Sequence, residues 1–218
     1  MSKPVGRVPQ RSNARSNRAR ILATARDELG RNPDVTLEEL ARASGVVRRT
    51  LFGHFPGRDA LLEALAEEAS DALRGALAAG AKHFGPDEPA DRAFAYFVFS
   101  IWPVGDRYRF LLVMARRDLG SERVAHVLAP ARAQATALLE RGQREGVFHE
   151  FLPSAVLSAG LEAMTVALLE ETNAGTLEDD GTRTAVTTLI AAGVPSERAR
   201  AAVDAVAAKL MVEATAAE

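Results

Sequence analysis

The chain has 218 residues, 47% of them apolar, a formal charge of −2 and no cysteine. That length suits one large domain or a small one joined to a larger one, and the composition is that of an ordinary globular protein. Disulfide scaffolds, thiolate metal sites and cysteine nucleophiles are excluded, and no apolar run approaches the roughly 18–20 residues that cross a bilayer.

No secretory leader pattern follows the start, so a cytoplasmic protein with no membrane partner is expected. Residues 1–14 are polar, basic and low in complexity, and read as a disordered arm. A first helix is predicted from about Arg15 to Leu29, with Ile21, Leu22, Ala25 and Leu29 on one face. Gly30, Asn32 and Pro33 end it. Thr36 with Glu39 three residues later forms a T-x-x-E capping box, opening a second helix that buries Leu37, Leu40 and Ala41. Gly45 marks a tight turn that calls for positive φ. A short third helix runs from Val47 to Gly53 or His54, stopped by Pro56-Gly57, and a fourth from Arg58 to about Ala79.

Beyond Gly80, Gly85, Pro86 and Pro89 the pattern stays helical, over about 90–102, 106–118, 122–128, 130–145, 154–173, 182–192 and 196–214. Pro103-Val-Gly reads as a break, and Pro130 as a kink or the first turn of a new helix. No stretch alternates as a strand does, so the fold class is all-α. Three parts follow: an arm (1–14), a helix-turn-helix head (15–60) and a larger helical body (61–218).

Charge is distributed unevenly along this plan. Residues 1–58 hold twelve basic and five acidic residues, a net +7, whereas the remainder holds 15 basic and 24 acidic, a net −9. A basic end on an acidic body suggests that one end meets a polyanion. On a helical wheel Val47, Leu51 and Phe55 of the third helix fall together and are expected to point inward. Arg49, Phe52 and Gly53 fall opposite, with Arg48 and Thr50 on the flanks. An exposed aromatic beside two arginines suits the major groove of DNA, where arginine pairs with guanine and apolar groups meet thymine methyls. The second helix, a four-residue turn and the third helix make a helix-turn-helix with the third as reader. Thr36 at one helix start and Arg58 at another are candidate phosphate anchors. Arg7, Arg11, Arg15 and Arg18 either reach into an adjacent minor groove or form a solvated tail.

The segment "TLEELARASGVVRRTLFGHFPGRDALLEAL" resembles the DNA-binding head of the tetracycline-repressor (TetR) family of one-component regulators. Ala41, Gly45, Val46, Thr50, Leu51, His54 and Phe55 carry the match. The resemblance implies double-stranded DNA as partner and a DNA-contacting set of Thr36, Val47, Arg48, Arg49, Thr50, Phe52, Gly53, His54 and Arg58. His54 is expected to pack and cap rather than react. Three positions depart from the family pattern. Phe52 stands where tyrosine is usual, so a phosphate-reaching hydroxyl is missing. Val47 replaces a polar N-cap, at a cost on the order of 1 kcal/mol. Gly53 replaces a longer residue and leaves base reading to the two arginines.

Seven of the twelve aromatic residues lie between Phe94 and Phe110, on both sides of a helix. Such a helix is either buried all round or lines a cavity. The resemblance implies an effector pocket here for a mainly apolar small molecule, walled by Phe94, Phe97, Ile101, Trp102, Phe110, Met114 and Met164, with Arg107 or Arg109 able to meet a carboxylate. Ala199, Val203, Val206 and Leu210 form a narrow stripe suited to helix–helix packing, and the resemblance implies a homodimer paired through the C-terminal helices. Neither a cofactor nor a metal is expected: the four histidines lie far apart, and no nucleophile elbow, P-loop, dinucleotide loop or H-E-x-x-H is present, which argues against an enzyme. The competing reading is an architectural DNA-binding protein that senses nothing.

Overall fold

The computed structural model describes residues 8–109 and 120–216, which form nine α-helices, one 3-10 turn and no strand among the described residues. The helices are α1 (Val8–Arg31), α2 (Leu37–Ala43), α3 (Arg48–His54), α4 (Arg58–Gly80), α5 (Ala90–Arg107), α6 (Ser121–Arg144), α7 (Ser154–Ala174), α8 (Thr182–Ala191) and α9 (Ser196–Ala216), with the 3-10 turn at Ala81–His83. The described chain divides into two compact units. One comprises the residues up to Glu68 with 120–124; the other comprises Ala69–Arg109 and the residues from Ala125 onward.

In the first unit α1, α2 and α3 pack on one another. Ile21, Leu22, Ala25 and Leu29 of α1 are buried, as are Leu40, Leu51, Phe55, Leu61, Leu62 and Leu65. The α2–α3 turn is closed by backbone alone. The N–H of Gly45 donates to Arg42 O (3.1 Å) and that of Val46 to Ala41 O (3.0 Å), the paired bonds of a Schellman ending. Gly45 takes φ +64°, a conformation that costs other residues about 1–2 kcal/mol.

Helix α1 starts at Val8, seven residues before the start that the sequence suggests, so part of the expected arm is helical. Pro9 falls in the first turn, where its missing N–H is harmless. Once packing of Ile21–Leu29 fixes the helix, adding turns of Arg, Gln and Ala costs little. The polar sequence that reads as disorder therefore continues a helix that is held elsewhere.

In the second unit α8 packs on α5, α7 and α9, and α5 on α9. The expected break at Pro103 does not occur, since α5 runs through it to Arg107, and at Pro130 no new helix begins, because α6 continues through it. Each proline removes one backbone donor, and the apolar faces on both sides outweigh that loss. The expected helix over 106–118 lies mostly outside the described residues. Asp179 caps α8, accepting from the backbone N–H of Gly181 (3.0 Å), Arg183 (2.9 Å) and Thr184 (2.9 Å) and from the Thr184 hydroxyl (2.7 Å). The stripe of α9 faces the chain's own core: Ala199, Val203 and Val206 are buried and Leu210 partly so. It packs within the subunit and leaves the opposite face of α9 to solvent. Among the described residues no helix is long and apolar enough to cross a membrane.

Candidate nucleic-acid interface

The two-turn helix α3 is anchored by Leu51 and Phe55, both essentially inaccessible. Val47 does not join them; it is 70% exposed. The helical wheel fails at this position because Val47 is the N-cap, with extended backbone (φ −73°, ψ 149°), so its side chain leaves in a direction that helical periodicity does not describe. It makes no side-chain cap bond, as its lack of a polar atom requires.

The outer face carries Arg48, Arg49 and Gly53 exposed, with Thr50, Phe52 and His54 half-buried. The two arginines are in different situations. Arg48 pairs with Glu38 of α2 (Nη2–Oε1 2.9 Å) and lies over the Phe52 ring, 5.2 Å from its centroid. Arg49 has no hydrogen bond, ion pair or ring contact among the described residues. An uncommitted guanidinium has all five of its donors available for a bidentate acceptor. At Gly53 an added Cβ would meet nothing within 4 Å, so the glycine leaves this face recessed. The His54 ring tilts against Phe55, centroids 6.3 Å apart.

The two expected phosphate anchors are engaged within the head. Thr36 forms the full capping box: its hydroxyl accepts from the Glu39 N–H (3.2 Å) and donates to Glu39 Oε2 (2.7 Å), which also accepts from the Thr36 N–H (2.8 Å). The backbone and hydroxyl donors of Thr36, with Arg42 nearby, hold the Glu39 carboxyl below the usual carboxylate range. The start of α2 thus already has an anion, supplied by its own third residue. Arg58 donates to Val35 O (2.8 Å) and to Pro33 O, tying the first turn of α4 to the segment before α2. The sequence signals the box, because it is local, but not the Glu38–Arg48 and Arg58 contacts, which join different elements. Arg18 of α1, whose guanidinium lies 5.4 Å from the Phe55 ring centroid, makes a contact of the same kind.

Residues 21–65 match the family model of bacterial regulatory proteins, tetR family. Solved structures share the whole fold. A γ-butyrolactone receptor described as ArpA-like is 22% identical with a TM-score of 0.67, covering 92% of this chain and 99% of that one. CprB from S. coelicolor A3(2), a TetR family protein, is 19% identical with a TM-score of 0.68, covering 89% and 98%. The match to the TetR family model is confined to residues 21–65, and these solved structures show a shared fold over the rest. A third TetR-like fold, RolR in complex with resorcinol, is 21% identical with a TM-score of 0.52, covering 89% and 96%. No curated protein sequence matches the chain.

The aromatic helix α5 lies within the second unit. Phe94 is buried against Phe97 (ring centroids 5.6 Å) and Phe148 (5.9 Å). Tyr96 stacks on His83 at 4.0 Å, and Trp102 is buried against Gly181, where a Cβ would come within 3.0 Å of the indole. Ile101 and Met164 are half-buried against this core. Phe110 and Met114 lie outside the described residues. Arg109 is paired with Asp106 (2.7 Å), and Arg107 lies over the Tyr108 ring. An open depression of about 740 Å³ sits elsewhere, between the end of α7 and the start of α8. Thr172, Asp179, Asp180 and Arg183 line it, and none of the aromatic residues does.

Proposed function

We propose that the chain is a ligand-responsive transcriptional regulator of the cytoplasm, a repressor that binds a palindromic operator as a homodimer and leaves it when a mainly apolar small molecule binds the body. One observation carries the DNA half of this reading: Arg49 is exposed and uncommitted on the outer face of α3, between the open Gly53 surface and the Arg48–Phe52 pair. Arg49 reads guanine in the major groove, Phe52 and Val47 offer apolar surface to thymine methyls, and Thr50, Gly53 and His54 complete the contact face. Thr36 and Arg58 shape the head from within.

A symmetric pair is required because one helix of this length buries too little for useful specificity. Two helices carry exposed small residues at helical spacing: Val156, Ala159, Gly160, Ala163 and Ala167 on α7, and Ala201, Ala205, Ala208 and Val212 on α9. Their pairing across a two-fold axis gives a four-helix interface. The effector is assigned to the α5 region, with Phe94, Phe97, Ile101, Trp102 and Met164 as its walls. The small-molecule ligands named for similar folds, a γ-butyrolactone and resorcinol, support the size and character of such a compound. Effector and operator then weaken each other by equal factors.

Binding-site selection with the full chain tests the reading. The expected result is a palindromic consensus whose guanine preference at one position per half-site relaxes in Arg49→Ala, with about 1–3 kcal/mol of discrimination lost there. Uniform binding to all sequences would favour the architectural alternative.

A further inference from the structure

The basic arm becomes a different object once its structure is known. Residues 8–20 continue α1 without interruption, and Ile21 opens the buried stripe of the helix. From Asn13 to Arg20 every residue is exposed except Asn17, which is half-buried. At 1.5 Å per residue this polar extension is about 20 Å long. Arg11, Arg15 and Arg18 follow at intervals of four and three, so the backbone places them on one face. Arg20 lies on the opposite side, where it donates to Asn17 Oδ1 (3.1 Å). The stripe is tied to the head at one end: the guanidinium of Arg18 sits over Phe55, the residue that closes α3. Arg15, further out, has no partner among the described residues. No acidic residue occurs before Asp27, so nothing in the extension itself neutralises the stripe.

Two widths decide what this surface fits. The minor groove of B-DNA is about 6 Å wide, whereas an α-helix with its side chains is about 10–12 Å across. A helical arm cannot enter that groove as an extended arm does. We propose that the N-terminal extension of α1 is a phosphate-binding strut, whose Arg11–Arg15–Arg18 stripe lies along the sugar–phosphate backbone flanking the site read by α3. It contributes affinity and salt dependence without base preference. Its reach corresponds to about six base pairs at 3.4 Å each.

This inference rests on the DNA-binding reading, and the test separates the two. The full chain is titrated with its selected operator, once with long flanks and once trimmed to the palindrome, over a range of salt. Arg11→Gln/Arg15→Gln, which removes two charges and leaves Arg18 on Phe55, is compared with wild type. The expected result is a shallower dependence of log K on log salt, by about 0.9 for each phosphate that is no longer neutralised. Affinity at moderate salt should weaken on the order of tenfold. Trimming the flanks should weaken wild type and affect the double variant, which keeps only Arg18 of the stripe, much less, with the base consensus unchanged in both. Netropsin, which fills the minor groove, should not compete through A·T-rich flanks. An unchanged salt slope, indifference of wild type to trimming, or competition by netropsin would each overturn the strut while leaving the α3 reading intact. Failure of wild type to select any sequence would bring down the α3 reading and the strut together.

Discussion

The head and the body are built from the same helical grammar, yet they expose their functions differently. In the head the core points inward and the working surface outward, so polarity alone separates the two: Leu51 and Phe55 are buried, while Arg49 and Gly53 face solvent. In the body both a pocket wall and an ordinary core are apolar. Phe94, Phe97 and Trp102 have the burial and neighbours that either role would give them. A surface function announces itself as misplaced charge or misplaced apolar area, whereas an interior one is camouflaged by the packing around it.

The sharpest way to break this contrast is to attack the core on the head side. Phe55→Ala should cost about 3–5 kcal/mol, as large-to-small changes at sealed aromatic sites do. Denaturant unfolding and operator binding should both register it, since α3 loses the residue that seats its end. Arg58→Ala comes next, at about 2 kcal/mol for two charged hydrogen bonds to carbonyls. A phosphate anchor and an internal brace part company here. If Arg58 braces the turn, operator affinity falls with the melting temperature while the salt slope stays as in wild type. A slope shallower by about one unit would make it a phosphate contact instead.

The remaining changes are smaller. Val47→Ser supplies the missing cap of α3 and should stabilise the protein by about 0.5–1 kcal/mol, read as a rise in melting temperature. For the α2 box the effect is one of pH. Because the Glu39 carboxyl titrates lower when folded than when unfolded, its contribution is complete above the ordinary carboxylate pKa and fades as pH falls through the lowered one. The difference in melting temperature between wild type and Glu39→Gln should therefore be constant near neutrality and shrink below about pH 4.

What the sequence makes legible follows from the range of the interactions involved. Thr36, Glu39 and Gly45 act on neighbours three to five residues away, so the capping box and the turn are visible in the sequence string. A helical wheel puts Val47 on the wrong side because it holds only inside the helix, and Val47 stands one residue before it. The Glu38–Arg48 pair and the bonds from Arg58 depend on how separate elements lie together, which no periodicity records. Pro103 and Pro130 suggest ends that the structure does not have, since a lost donor is a local cost and the apolar face that overrides it is collective. The early start of α1 is hidden for a related reason: a segment with no apolar face gives no sign that it belongs to a helix anchored further on. The proposed effector walls are the least legible part, for the reason the body as a whole illustrates.

The grip of Arg58 on Pro33 and Val35 has a mechanical meaning. It acts as a rivet, fixing the opening turn of α4 to the strip of chain from which α2 springs. Two hydrogen bonds from one guanidinium hold that joint, so the first turn of α4 and the base of α2 keep one fixed spacing. On the proposed reading, a change at the first turn of α4 would reach the helix assigned to base reading through this joint.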